Sequence, residues 1–556
     1  MSQSTGETNR ITSQPLGTTS ARLVAVKLKS ANKNIFRALM SLGSANLVQR
    51  IMGLVNTTIV TARFGQGGEM DAYYIASILP LTLADLLSSA MEGSVIPVYA
   101  RVRTKGSREK ASRLYSTILN ALLIGLVSLT AIMLIFRQPL VILFAPGVKG
   151  NELQLAAFLA IYAFPVLFFK IINSFLEALL NAEGQFGWPA YAGMLNPLVT
   201  AIFVLVGGGS AGVVMLCIGT IGGLLAELVI IIYRAYKADF KYKLVMDLSM
   251  PEVHTTAKTA IPSLAAGVIS MASPLVDQIF ASLLPTVGNI AALNNAQKLY
   301  SVPTGVILGA VGRAALPYLA AQAAIKDMKA FKNTFRLYLW AVTIATTVIA
   351  AGMAVLSYPM ILVLLAHGKY TTADASVAAI TLSGLVIGLP PMAVGWIASK
   401  AFSALVMPRI TIYISIFSII ANAVFDAIFG RLWGIFGIAL ATSALYCCTM
   451  VILLVSLRAA IGKLDLLTPP KELLDLVRKF GNGQLFDQWS VWKEENLSFS
   501  LSYEARKQLM RILCILLTFA FGIGLVVYVD TSHQTVLLVP AIAFGLLIVL
   551  AWLRNP

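Results

Sequence analysis

The sequence predicts an all-α polytopic membrane protein: about 14 transmembrane helices, with two parallel-repeat six-helix lobes around a central cavity plus two C-terminal helices. Three observations predict it. Apolar windows recur along nearly the whole chain, the loops between them alternate in basic charge, and prolines recur at a constant offset. With 58% hydrophobic residues, 12% charged residues and a mean hydropathy of +0.81, the chain falls in the membrane class rather than among soluble globules.

In chain order, residues 1–34 are polar at the start, rich in Ser and Thr, and are expected to form a disordered cytoplasmic tail. A bilayer crossing takes roughly 20 apolar residues. Such windows fall near 39–63, 73–99, 114–136, 153–181, 189–208 and 211–233, giving an N-terminal lobe over 35–240. A second set near 257–284, 288–320, 333–356, 375–405, 409–429 and 434–457 gives a C-terminal lobe over 250–458. Residues 459–508 read as a cytoplasmic insertion, in which "PPKELLDLVRKFGNG" has the Pro start, apolar spacing and Gly stop of a short amphipathic helix. Two last windows, 509–529 and 535–553, form the C-terminal pair within 509–556.

The charge is positional. Lys and Arg number 42 against 25 Asp and Glu, a net +17, but they cluster in 100–113, 234–243, 326–336 and 458–511. The intervening loops, such as "GGGSAG" at 207–212, hold almost none. The positive-inside rule therefore places the basic loops and both termini in the cytoplasm, and no nucleic-acid partner is needed to explain the charge. Cys217, Cys447, Cys448 and Cys514 all sit in apolar runs with no metal-ligand spacing, as small buried hydrophobes do.

The chain also repeats. "SVIPVYARVRTKGSREKASRLYSTILNALL" at 94–123 aligns with "AALPYLAAQAAIKDMKAFKNTFRLYLWAVT" at 314–343. Pro97 and Pro317 are 220 positions apart, as are Pro139 and Pro359, while Pro189 and Pro408 are 219 apart. An offset held over about six helices means two halves of the same orientation, an arrangement that places a substrate site between them.

Helical spacing puts the intramembrane polar residues on shared faces. Asn46, Arg50, Gly53 and Thr57 line the first helix; Thr82, Asp85, Ser89 and Glu92 line the second; Lys170, Asn173, Glu177 and Asn181 line the fourth. In the second half the stripes are Ser270, Ser273 and Asp277, then Asn294, Lys298 and Ser301, then Asn422 and Asp426. Arg313 lies further along the eighth helix, about 60° round. A charge at membrane depth costs about 2.5–3.5 kcal/mol on the lenient scales, so these stripes face one another or water. Arg50, Lys170, Lys298 and Arg313 suit an anionic head group. The acids Asp85, Glu92, Glu177 and Asp277 either pair with those cations or carry a coupling proton or cation. No bound cofactor is expected; a proton, a monovalent cation or the membrane potential each remain as the driving force.

Several local motifs carry a family resemblance. "QRIMGLVNTTIVTARFGQGGEMDAYYIASILP", "MEGSVIPVYA", "VDQIFASLL" and "LYSVPTGVILGAVGRAALPYLA" resemble, in order and spacing, segments of the MurJ/MviN lipid II flippases of the multidrug/oligosaccharidyl-lipid/polysaccharide exporter superfamily. The resemblance covers roughly residues 35–460. It implies a bacterial inner-membrane flippase that moves an undecaprenyl-pyrophosphate-linked precursor of peptidoglycan to the outer leaflet by alternating access. It implies cavity arginines that meet the pyrophosphate and a lipid-tail groove beside the last two helices. Arg50 matches the first helix-1 arginine of the family and Asp71 its aspartate at the external turn. Asn56 stands where relatives carry a second arginine, Ala84 or Asp85 near another, and Lys298 at the helix-8 arginine.

Other functions stay open beside this one. A flippase for another lipid-linked glycan, of exopolysaccharide or O-antigen type, fits the same features, and a MATE-like cation-coupled exporter would need only twelve helices. An enzyme is not expected: His254, His367 and His533 are scattered and no D-x-D cluster occurs. The expected partners are a lipid-linked glycan, membrane lipids and, through 459–508, cell-wall synthesis proteins.

Overall fold

A computed structural model describes residues 48–462, apart from 106, 107, 184, 186, 210 and 239. The tail 1–34, Asn46, the insertion past residue 462 and the windows 509–529 and 535–553 lie outside the described residues. Among the described residues there is no strand; helices are joined by turns and irregular segments. In chain order the helices are α1 (48–64), α2 (Gly68–Lys105), α3 (Arg108–Ile135), α4 (Arg137–Phe144), α5 (Gly150–Ala182), α6 (Gly187–Ala192), α7 (Leu195–Gly207), α8 (Val214–Lys237), α9 (Pro251–Ser282), α10 (Asn289–Ala324), α11 (Met328–Leu365), α12 (Thr372–Ile387), α13 (Leu389–Ala404) and α14 (Pro408–Ile461).

The starts of these helices follow local chemistry. Pro251 and Pro408 open α9 and α14, where a missing N–H is harmless. Thr371 and Asp374 form a capping box at α12, and Asp327 caps α11 through the N–H of Ala330. Six described helices are long and apolar enough to cross a bilayer, and α12 with α13 makes a seventh span bent by 40°. The repeat appears element by element: α2 begins at Gly68 and α10 at Asn289, α3 at Arg108 and α11 at Met328, α5 at Gly150 and α12 at Thr372. Within the apolar windows of α3 and α11 only 22% is buried, against 56% for α5, so the two repeat-mates both lie at the lipid-facing perimeter.

Two expected spans are broken rather than continuous. The 189–208 window is α6 followed by α7, separated by a turn at Gly193 and Met194. Pro197 has no N–H to give the carbonyl of Gly193 four residues back, and that carbonyl accepts instead from Gln49 Nε2 at 3.4 Å. The 375–405 window bends between α12 and α13, where Pro390 and Pro391 leave carbonyls of the preceding turn without their helical donors. By contrast the 409–429 and 434–457 windows form one long α14, turned at Gly434.

Buried apolar residues fall into one large cluster drawn mainly from α1–α8 and two drawn from α10–α14. Tyr115 anchors the first: its ring stacks on Phe175 at 4.1 Å, meets Tyr99 and Phe240 edge-on, and its hydroxyl donates to the Phe175 carbonyl. Between α8 and α9 the chain runs as an extended strap along α3. Asn120 Nδ2 donates to the carbonyls of Lys243 (3.3 Å) and Val245 (2.9 Å), and Tyr242 donates to Asn120 Oδ1 at 2.5 Å. Ion pairs Lys243–Glu109 (2.6 Å), Arg113–Asp247 (2.9 Å) and Lys110–Glu252 (2.6 Å) hold its flanks.

Candidate functional site

The polar stripes meet where the two halves touch. At the end opposite the basic loops, Asp71 in the first turn of α2 reaches across to α10. Its Oδ2 accepts from the N–H of Gly288 and its Oδ1 from that of Ala291, both at 2.7 Å. These are among the donors that a helix N-terminus leaves unsatisfied, so one carboxylate both caps α10 and joins the halves. Ala291 is the repeat position of Asp71, 220 residues on. Beside this clasp, Lys369 N–H donates to the Ala62 carbonyl at 2.8 Å and Tyr370 to Gln66 Oε1 at 2.8 Å. The α1–α2 turn is thus gripped by two turns of the second half.

Deeper in, Lys298 on α10 donates to Tyr74 of α2 at 3.0 Å and lies 5.1 Å from that ring's centroid. Tyr74 in turn donates to Asn295 Oδ1 at 3.3 Å. Further toward the basic loops, Arg50 on α1 donates to the carbonyl of Ser301 on α10 at 2.7 Å. Gly305 lies one turn beyond, where a Cβ would overlap the Arg50 guanidinium. Each half therefore contributes a cation that the other half holds.

Lys170 and Asp85 form an ion pair of 2.6 Å between α5 and α2, both partly exposed. That is the acid–cation pairing expected from the stripes. Asp277 departs from it. Only 2% exposed, it sits inside the second half and accepts from Asn422 Nδ2 (2.7 Å) and Thr442 Oγ1 (3.1 Å). Asn422 also donates to Asp426 Oδ2 at 3.1 Å, while Asp426 Oδ1 and Asn422 Oδ1 have no partner. Two carboxylates so close and so buried need a positive charge, as a proton or a bound cation. Its four oxygen-bearing side chains suit a hard monovalent cation, and no group of three or more His, Cys, Asp or Glu that could hold a metal occurs among the described residues.

Glu177 meets Glu227 of α8. Asn56 is half-buried, with Oδ1 unpartnered. Glu92 and Arg313 fall within α2 and α10, and Asn46 lies outside the described residues. Sequence reading missed Tyr74, Thr442, Gly305 and Glu227. Of these only Glu227 carried a signal, as the one acid in the 211–233 window.

A family model described as "Lipid II flippase MurJ" matches residues 60–479, well over half the chain. The chain belongs to the lipid II flippase MurJ family. Among MurJ relatives, the Thermotoga maritima protein named "Probable lipid II flippase MurJ" is 26% identical over 418 residues, covering 74% of this chain and 84% of its own. The solved structure titled "Lipid II flippase MurJ, inward closed conformation" superposes with a TM-score of 0.66 at 21% identity, over 92% of this chain and 97% of that one. An inward-facing MATE-family transporter of the MOP superfamily also gives 0.66, at 16% identity, but over 76% of this chain and 96% of its own. MurJ and MATE thus share the fold, and MurJ matches further along the chain.

Proposed function

We propose that the protein translocates lipid II from the inner to the outer leaflet of the bacterial cytoplasmic membrane by alternating access, with both termini cytoplasmic. The observation that carries this reading is the reciprocal hold on Arg50 and Lys298, one cation from each half bound by the other. Parting of the halves at the cytoplasmic side frees the Arg50 guanidinium from the Ser301 carbonyl, and its planar fork can then grip a pyrophosphate. Lys298 adds a point charge once it leaves Tyr74. Asp71 and the Ala62–Lys369 contact keep the outer side shut meanwhile, so the head group has one route at a time.

The buried group of Asp277, Asn422, Asp426 and Thr442 is the coupling site in this scheme. It would hold a monovalent cation, whose charge lets both carboxylates stay ionised. Binding of sodium to the purified protein, read as a rise in thermal stability over choline chloride, should vanish in Asp426→Asn.

The function is tested by reconstituting the full chain in vesicles with labelled lipid II and measuring its exposure to an external probe. Exposure should rise with the protein and drop at least tenfold in Arg50→Ala. No rise with properly folded protein would overturn the reading. Asn56 and Lys298, which leave fewer arginines than the family pattern, favour a second reading in which another polyprenyl-linked glycan is carried. Faster exposure of such a glycan than of lipid II in the same vesicles would establish it. The 459–508 segment is proposed to contact cell-wall synthesis proteins.

A further inference from the structure

The first half contains a pair of acids, one buried and one half-buried, that carries no part of the proposed transport cycle. Glu227 on α8 is 8% exposed, and its carboxyl lies beside that of Glu177 and the amide of Asn173, both on α5. Two neighbouring carboxylates, one of them buried, disfavour double ionisation, and a proton on one oxygen removes the repulsion and supplies a donor for the other carboxyl. Asn173 is 2% exposed; its Nδ2 donates to the Leu224 carbonyl at 3.0 Å, and its Oδ1 is left with no donor at all. A buried acceptor without a donor, on an amide touching a carboxyl, marks a place for a positively charged hydrogen or ion.

Lys170 occupies the same stripe of α5, one and two turns before Asn173 and Glu177, and its field reaches Glu227. Its ammonium is engaged by Asp85 at 2.6 Å. Of the helices packed on α5 and α8, α7 has no titratable side chain and α6 has Tyr191, while α2 carries Asp85, Glu92 and Tyr99, α3 carries Tyr115, and Arg234 lies two turns after Glu227 on α8. We propose that Glu177 and Glu227 form a proton-binding site of the first half, loaded while Lys170 is held by Asp85 and emptied when Lys170 turns toward the pair. In the loaded state one proton is shared by two carboxyl groups. In the emptied state that proton has gone to water, and the Lys170 ammonium supplies the positive charge in its place, leaving Asp85 free. Any event in the space between the halves that pulls Lys170 from Asp85 would then release a proton from inside the lobe.

The site can be tested on the purified full chain without cargo, so the result does not depend on the lipid carried. Infrared difference spectra in detergent read the carbonyl stretch of a protonated carboxylic acid. At neutral pH the wild-type chain should show a band that is lost in both Glu227→Gln and Glu177→Gln, two substitutions that keep hydrogen-bonding amides. Lys170→Gln should keep the band at an alkaline pH at which the wild-type chain has lost it, and Asp85→Asn should lose it at a lower pH. A band unchanged by both glutamine variants, or one insensitive to Lys170→Gln, would overturn the proposal. The acids of the second half are common to all these spectra and cancel.

Discussion

Arg50 reaches the carbonyl of Ser301 because residue 305, one turn along α10, is glycine. Gly305→Ala puts a methyl into the guanidinium and should break that contact. A hydrogen bond to a charged group is worth about 1.5–3 kcal/mol, and 1.4 kcal/mol is a factor of ten. Lipid II exposure in vesicles should therefore fall about tenfold with the yield of monodisperse protein kept; wild-type exposure would mean the guanidinium does not use that space. Asp71→Asn is the matching change at the outer clasp. An amide presents one acceptor and one donor to two N–H groups, so one bond is lost and a donor faces a donor. A cysteine placed at the fully buried Ala292 should then react with a membrane-impermeant maleimide roughly ten times faster than in the parent. The charged members of this site were legible in the sequence, since Arg50, Asp85, Lys170 and Lys298 each stand out in an apolar helix. Their partners were not. The carbonyl of Ser301 and the N–H groups of Gly288 and Ala291 are backbone atoms, which any residue would supply, and Tyr74 reads as an ordinary aromatic near a helix start.

Among the α3 side chains that hold the strap between the halves, Asn120 makes three of the hydrogen bonds. Asn120→Ala removes three hydrogen bonds at once, to Lys243, Val245 and Tyr242. At about 0.5–1.5 kcal/mol each, their loss should raise trypsin cleavage at Lys241 and Lys243 severalfold while α3 itself stays protected. Asp247 in the strap and Glu252 in the first turn of α9 also set its response to pH. The Ser249 hydroxyl, then Arg113, hold the Asp247 carboxyl below its ordinary value, and Lys110 does the same for Glu252, ahead of the expected span 257–284. A depressed folded value means the contribution is full above the ordinary carboxylate range and fades as pH falls through the lowered values. Amide exchange at Lys243, Asp247 and Ser249 should accordingly be flat from neutral pH down to that range, after correction for intrinsic rates, and accelerate below it. A second element-level device is Gly434, whose φ of 59° and ψ of −136° turn α14 between its two passes. Only glycine holds that conformation without strain of about 1–3 kcal/mol, so Gly434→Ala should lower the melting temperature measurably. Helix positions were legible from hydropathy because each window needs only length and apolarity. The breaks at Gly193 and Gly388 were not, because proline was visible but the side chain that rescues the freed carbonyl, Gln49 in the first case, comes from a distant helix.

As a whole the molecule is two similar bundles that meet through turns and along α1, α2, α9 and α10, and the repeat spacing of 220 positions made Asp71 and Ala291 equivalent without saying that the two would touch. Periodicity fixes which positions are equivalent, whereas contact between equivalents depends on how the halves lean, a property spread over many weak interactions. The outer clasp gives a way to hold that lean. Gly65, in the α1–α2 turn, and Lys369, between α11 and α12, belong to opposite halves, and a Cβ built on Gly65 lies 3.5 Å from the Lys369 Cβ. That separation suits a disulfide, whose Cβ atoms lie about 3.5–4.5 Å apart. Gly65 has a φ of +74°, so a cysteine there costs about 1–2 kcal/mol, well below what a covalent bond can hold. In a background with the four native cysteines replaced, Gly65→Cys with Lys369→Cys should cross-link on mild oxidation. The oxidised protein should still admit lipid II from the inner leaflet yet fail to expose it outside, and reduction should restore exposure. Each single cysteine should be insensitive to oxidation. Full exposure by the oxidised double variant would mean that the halves do not part at this end, and that the head group leaves by another path.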